Sequence, residues 1–151
     1  MDYESKLKQF IAEHHIAAEH IHFENTTRTV EDACREANCK PDDIVKSICI
    51  AGEQTIIALV LGSQRASTER VAKALGIERP DIATPEQVLE KTGYLAGGVP
   101  PFGYPAVFLI DPTVMEKDIM FAGGGTPNAI IRISAEEIIK VNGGMIVRVR
   151  K

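Results

Sequence analysis

At 151 residues, with 44% hydrophobic and 25% charged residues, the chain has the makeup of one folded domain, able to bury about two-thirds of its unfolded surface without a metal or a disulfide framework. This composition excludes a disordered chain, and no run approaches the ~18 apolar residues of a membrane span, so a cytoplasmic protein with no membrane contact is expected. The net charge of −4 argues against broad, nonspecific binding to duplex nucleic acid, while leaving room for a local basic face.

From Tyr3 to His14, Leu7, Phe10, Ile11 and His14 recur at helical spacing between charged residues and predict an amphipathic first helix. Ile21-His22-Phe23 reads as a strand. Thr29 then looks like an N-cap, with Glu31 and Asp32 in the first turn of a helix reaching about Ala37. Ile44–Ala51 and Gln54–Leu61 are two nearly continuous apolar runs separated by Gly52-Glu53, the pattern of a β-hairpin in a sheet interior. Ser67 caps a helix that Gly76 closes, and Thr84-Pro85-Glu86-Gln87 is a capping box opening a helix that ends near Lys91.

After that helix comes Thr92–Gly103, with four glycines and two adjacent prolines in twelve residues. This makes a poor helix and a poor central strand, but a stiff loop that can hold backbone N–H groups in one direction, as an oxyanion or phosphate requires. A structural crossover is the competing reading. Ala106–Ile110, Asp118–Ala122, Ala129–Ile133 and Met145–Val149 read as further strands. Gly123-Gly124-Gly125 follows the second of these, and Ser134-Ala135-Glu136-Glu137 has the form of another capping box. About seven strands and about four or five helices imply a single α/β domain with a mixed, largely antiparallel sheet.

Lys46 stands out because it interrupts an apolar strand together with Ser47. An unpaired ammonium is expensive to bury, so this lysine either snorkels to an edge or points into a functional cavity. Three cysteines, Cys34, Cys39 and Cys49, show no CxxC spacing and read as reduced thiols. His20 and His22 share one strand face, but further ligands at metal-binding spacing are lacking. Gly123-Gly124-Gly125-Thr126 is not a Walker motif, and neither G-x-G-x-x-G before a helix nor a G-x-S-x-G elbow occurs. Two glycine loops and a strand lysine instead suit a pocket that stabilises an ester carbonyl as it becomes tetrahedral. No cofactor and no metal is expected.

Gly93-Tyr94-Leu95-Ala96-Gly97-Gly98-Val99-Pro100-Pro101-Phe102-Gly103, with Ile44-Val45-Lys46-Ser47 upstream and Ala122-Gly123-Gly124-Gly125 downstream, resembles the YbaK/ProX-type aminoacyl-tRNA deacylases, free-standing relatives of the editing domain inserted in bacterial prolyl-tRNA synthetases. The resemblance runs from about Ile21 to the C-terminus. It implies one editing (deacylase) domain over residues 1–151 that hydrolyses the ester of a mischarged tRNA, expected to be tRNA-Pro carrying alanine, cysteine or another small amino acid. The family's lysine matches Lys46 and its G-x-x-x-P loop matches Gly97 through Pro101, so Lys46, Gly97, Gly98 and Pro101 are the implied catalytic positions. Thr29, Val30, Arg65, Val99, Pro100, Phe102, Gly103, Gly123, Gly124 and Gly125 are the implied substrate-binding positions, with Thr126–Ala129 a further contributor to the side-chain pocket. Water, or water assisted by a substrate hydroxyl, would be the nucleophile.

The 3′ end of the tRNA is thus the expected partner, and an aminoacyl-tRNA synthetase is a candidate second one; oligomeric state is left open. Arg65 at the pocket rim is the best single candidate for an RNA contact, ahead of Arg70, Lys73, Arg148, Arg150 and Lys151. A non-catalytic binder of aminoacyl-tRNA or RNA 3′ ends, and a small-ester or amide hydrolase, are the alternatives.

Overall fold

Among the described residues eight strands form two sheets, and the gap between them holds a cavity into which the motif segments converge. The structure is a computed structural model describing residues 2–151. The elements in order are α1 (Tyr3–Glu13), β1 (Ala18–His22), α2 (Val30–Ala37), β2 (Val45–Ala51), β3 (Thr55–Leu61), α3 (Thr68–Leu75), β4 (Asp81–Ile82), α4 (Pro85–Thr92), β5 (Val107–Ile110), α5 (Pro112–Met115), β6 (Ile119–Gly123), β7 (Ala129–Ser134), α6 (Ala135–Asn142) and β8 (Met145–Ile146). No helix among the described residues is long and apolar enough to cross a membrane.

The expected hairpin is the centre of the larger sheet. β2 and β3 pair antiparallel from Val45↔Leu61 to Ala51↔Thr55. β5 then adds parallel to β3 and β8 parallel to β5, giving the order β4-β2-β3-β5-β8. Both faces of the hairpin are buried: Val45, Cys49, Ile57, Leu59 and Leu61 enter one apolar cluster, while Ile50, Ile56, Ala58 and Val60 enter another. This two-sided burial is why the runs look continuous in sequence rather than alternating. The smaller sheet is antiparallel, in the order β1-β7-β6.

One topological detail makes the site. β4 covers only the far end of β2, through Ile50↔Ile82 and Ala51↔Asp81. The first half of β2 therefore keeps a free edge, approached from the other sheet by an isolated parallel bridge, Ile44↔Phe121. Cys49 turns its carbonyl to this outer side, where Ala83 N–H donates to it at 3.0 Å. The two-residue strand repeat turns the backbone groups of Ser47 to the same side.

Most element ends lie where their caps predict. Thr29 Oγ1 accepts from Asp32 N–H at 3.0 Å, Ser67 Oγ from Arg70 N–H at 3.1 Å, and Thr84 with Gln87 forms the full reciprocal box. Ser134 departs from expectation: its hydroxyl accepts from Glu137 N–H at 3.0 Å, but the Glu137 carboxylate accepts from Ala17 N–H at 2.7 Å instead of closing the box. Long-range docking of α6 against the start of β1 outcompetes the local bond. The last strand is also shorter than the Met145–Val149 run. Beyond Ile146 the chain is held by the Asp111 side chain, which accepts from Val149 N–H at 3.0 Å and Arg150 N–H at 3.1 Å. β4 and α5 carry no sequence periodicity because each spans only about one pattern repeat, so nothing recurs within it.

Candidate active site

A cavity of about 340 Å³ opens at the free edge of β2. Its walls are the loop and first turn of α2 (Thr27–Val30 and Ala33), the strand start Ile44–Ile48, Gly97 and Val99 from the Gly/Pro loop, Phe121–Gly123 at the end of β6, and Ala129–Ile130 of β7. The segments carrying Lys46, Gly97 and Gly123 thus meet in space, although they are separated widely along the chain.

Lys46 is half-buried, and its Nζ donates to the Gln64 carbonyl. Burial, and secondarily the positive charge of Arg65, holds its pKa below the ordinary lysine value. Gln64 is itself fixed at the side chain: its Oε1 accepts from Leu61 N–H at 3.0 Å and its Nε2 donates to Thr113 Oγ1 at 3.0 Å. Arg65 does not line the cavity; it is exposed and acts on Lys46 through its field. Of the other basic candidates, Arg150 is committed elsewhere, with its guanidinium 2.9 Å from the buried Asp111 carboxylate.

The Gly/Pro loop divides into two parts. Its first part faces the cavity through Gly97 and Val99. Gly97 sits at φ +88, and a Cβ there would stand 2.7 Å from Arg28 Cγ, so both backbone conformation and a close approach require glycine. Gly98 has its N–H on the Leu95 carbonyl at 3.0 Å and its own carbonyl accepting from Gly125 N–H at 2.7 Å, which welds the two glycine loops together. Gly123 packs against Val99 and Gly98 so tightly that a Cβ would overlap the Val99 carbonyl.

The second part of the loop lies outside the cavity lining. Pro100 and Pro101 are buried, with carbonyls accepting from Tyr104 Oη at 2.6 Å and Asn142 Nδ2 at 3.0 Å. Phe102 is in the core, stacked on Phe10 at 5.8 Å, and Gly103 packs near the same ring. Gly124 and Gly125 face inward, away from the cavity. Behind them, His20 Nε2 lies 2.9 Å from the Gly124 carbonyl, while the Glu4 carboxylate takes the Thr126 hydroxyl at 2.7 Å and His22 Nδ1 at 2.9 Å. The two strand histidines thus buttress the glycine loop.

Thr29 and Val30 line the cavity as expected from their place before α2. Arg28, Ser47 and Phe121 also line it and were not legible as site residues. Ser47 had a signal, since it shares with Lys46 the interruption of an apolar strand; its Oγ is buried in the wall with no hydrogen-bond partner. Arg28 had none, being one charged residue in a polar loop. Lys46 and Arg28 are the charged lining residues, and the lining holds no carboxylate, imidazole or thiol.

Comparison with known proteins bears on this geometry. The profile of the aminoacyl-tRNA editing domain matches residues 24–141. The uncharacterized protein YwhH of Bacillus subtilis (strain 168) is 30% identical over 121 residues, covering 77% of this chain and 76% of its own. The multifunctional Ser/Thr-tRNA deacylase ProXp-y of Escherichia coli (strain K12) is 31% identical over 87 residues, covering 55% of this chain and 52% of its own. Among solved structures, a candidate trans-editing enzyme for prolyl tRNA synthetase superposes with a TM-score of 0.87 at 27% identity, covering 100% of this chain and 99% of the other. Hypothetical protein APE2540 shares the fold, with a TM-score of 0.89 at 24% identity over 97% of this chain and 99% of the other.

Proposed function

The chain belongs to the aminoacyl-tRNA editing domain family, and from that premise we infer that it is a trans-editing deacylase, hydrolysing the ester between a wrongly attached amino acid and the 3′ end of a tRNA. The observation that carries this reading is the convergence of Lys46, Gly97 and Gly123 on one cavity whose lining lacks any acidic, imidazole or thiol group. Such a lining supplies cations and backbone dipoles but no side-chain base. It therefore suits a substrate whose ester is already activated enough to be attacked by water once the carbonyl is oriented.

In this reading Lys46 holds the terminal nucleotide and stabilises developing negative charge, while the Gly97 and Val99 backbone orients the ester. Water adds to the acyl carbon, the bond to the ribose oxygen breaks, and the tRNA leaves with a free 3′-terminal hydroxyl. The water's proton passes to a group of the substrate, since the lining offers no acceptor side chain. One fixed electrostatic contact of this type supports about 10²–10³-fold in rate.

The amino acid is small. The walls around Val30, Ala33, Ala129 and Ile130 are apolar and close together. The Ser/Thr-tRNA deacylase relative favours serine or threonine over alanine and cysteine as the amino acid, whereas the prolyl-tRNA synthetase relation of the structural match favours tRNA-Pro as the carrier. A panel of mischarged tRNAs, with seryl-, threonyl-, alanyl- and cysteinyl-esters on tRNA-Pro and on cognate tRNAs, tests both points. Fastest release of the hydroxyl amino acids is expected. Tight tRNA binding with no release from any member would favour a non-catalytic binder, and turnover of small esters alone would favour a hydrolase unrelated to tRNA.

A further inference from the structure

Arg28 sits at the mouth of the cavity, and among the described residues its guanidinium makes no hydrogen bond. Among the described residues it has no carboxylate partner. Its backbone is nevertheless held firmly. Arg28 N–H donates to Thr26 Oγ1 at 3.1 Å, and that hydroxyl donates to the Pro127 carbonyl at 3.2 Å. Thr27 N–H reaches the same carbonyl at 2.6 Å. The side-chain stem crosses directly over Gly97, the residue whose missing Cβ makes room for Arg28 Cγ. The result is an exposed cation on a fixed base, carried across the backbone that faces the cavity.

The two lining cations are placed unequally. Lys46 is half-buried in the strand wall and tied to Gln64, whereas Arg28 is solvent-exposed at the rim. The nearby acids of α2 do not neutralise it: Asp32 is engaged by Arg35 at 2.8 Å, and Glu31 and Asp32 are not part of the lining. A chain with a net charge of −4 thus presents a positive cavity. A guanidinium fork matches two oxygens of a phosphate, and an arginine that stands free at a rim keeps both edges of that fork available.

We propose that Arg28 is a phosphate clamp, gripping the 5′-phosphate of the terminal nucleotide while the ester that this nucleotide carries lies deeper, beside Lys46 and Gly97. This rests on the deacylase reading for the identity of the nucleotide. It goes beyond that reading by giving the site a phosphate subsite at the opposite end of the nucleoside from the ester. Gly97 is then required twice, for its own backbone conformation and as the saddle over which the clamp passes.

The test compares wild type, Arg28→Ala and Arg28→Lys on a mischarged tRNA and on the matching 3′-aminoacyl adenosine, which has no phosphate. Thermal melting checks that the variants are folded. Arg28→Ala should raise KM for the tRNA about tenfold or more with a smaller change in kcat, and should lose much less on the nucleoside ester. The slope of log(kcat/KM) against log salt should become shallower by about 0.7, the contribution of one single-strand phosphate contact. Arg28→Lys should recover only part of the loss, because an ammonium lacks the fork. Equal losses on both substrates, or none on either, would overturn the clamp while leaving the deacylase reading intact. If wild type releases no amino acid from any ester, that reading fails, and direct titration with adenosine 5′-monophosphate against adenosine still decides the clamp. A preference for the phosphorylated nucleotide that is lost in Arg28→Ala supports it; a preference unchanged by the substitution sinks it.

Discussion

Lys46 combines three conditions that are seldom met at once: half burial, a fixed hydrogen-bond acceptor in the Gln64 carbonyl, and no carboxylate in the surrounding cavity. Replacing it with Ala is expected to lower kcat/KM for ester hydrolysis by about 100-fold or more, with the circular dichroism spectrum unchanged. Because burial and Arg65 hold its pKa below the ordinary 10.5, the cation is lost earlier than usual as pH rises. The alkaline limb of the activity profile should accordingly lie below that value, and Arg65→Ala should move it upward. Gly123 illustrates a different constraint. A Cβ there meets backbone rather than a flexible side chain, so Gly123→Ala should destabilise the protein by about 1–3 kcal/mol in denaturant unfolding. The same collision separates the two glycine loops, so ligand binding should weaken as well.

At the scale of elements, local chemistry and tertiary docking can be told apart. Thr29, Ser67 and Thr84 all act as the caps that their positions predict, because each bond lies within three residues and needs no partner from elsewhere. Thr29→Ala should cost about 1 kcal/mol in chemical denaturation, and Thr29→Ser should restore most of it. Ser134 shows the limit of this logic. Its partner Glu137 is drawn to Ala17 N–H, a group 120 residues away in sequence, and no local rule foresees that. The Gly/Pro loop shows it again. Composition marked the whole stretch as a shaped loop, but its division into a cavity-facing half at Gly97 and Val99 and a buried half at Pro100–Phe102 depends on Tyr104, Asn142 and Phe10 arriving from other elements.

Over the whole molecule, a buried polar chain runs from the C-terminus toward the site. Asp111 has a side chain with 0% exposure, paired with Arg150 at 2.9 Å and accepting from Val149 N–H. Thr113 Oγ1 donates to its Oδ2 at 2.5 Å and accepts from Gln64 Nε2, and Gln64 holds Lys46. Burial alone would raise the Asp111 pKa, but hydrogen bonds from Thr113, Val149 and Arg150 outweigh it and bring the pKa below its ordinary 3.8. A carboxyl whose pKa is lower in the folded state stabilises the protein above the unfolded value and loses that contribution as pH falls through the folded one. Asp111→Asn should therefore cost about 3 kcal/mol or more at pH 7, measured by urea unfolding. The gap between wild type and variant should close in acid, below about pH 4.

The sequence by itself determined every helix but α5, most of their caps, the central hairpin, and the exceptional status of Lys46 and the two glycine clusters. Those signals arise from spacing and backbone chemistry within a few residues, and they survive in any tertiary setting. Only the tertiary structure decided that the strands divide between two sheets, that β4 stops short and leaves an edge of β2 open, and that Arg28 and Ser47 reach the space so created. A site at a gap between sheets is defined by strand pairings that are missing, and a missing pairing leaves no periodicity for a sequence to carry.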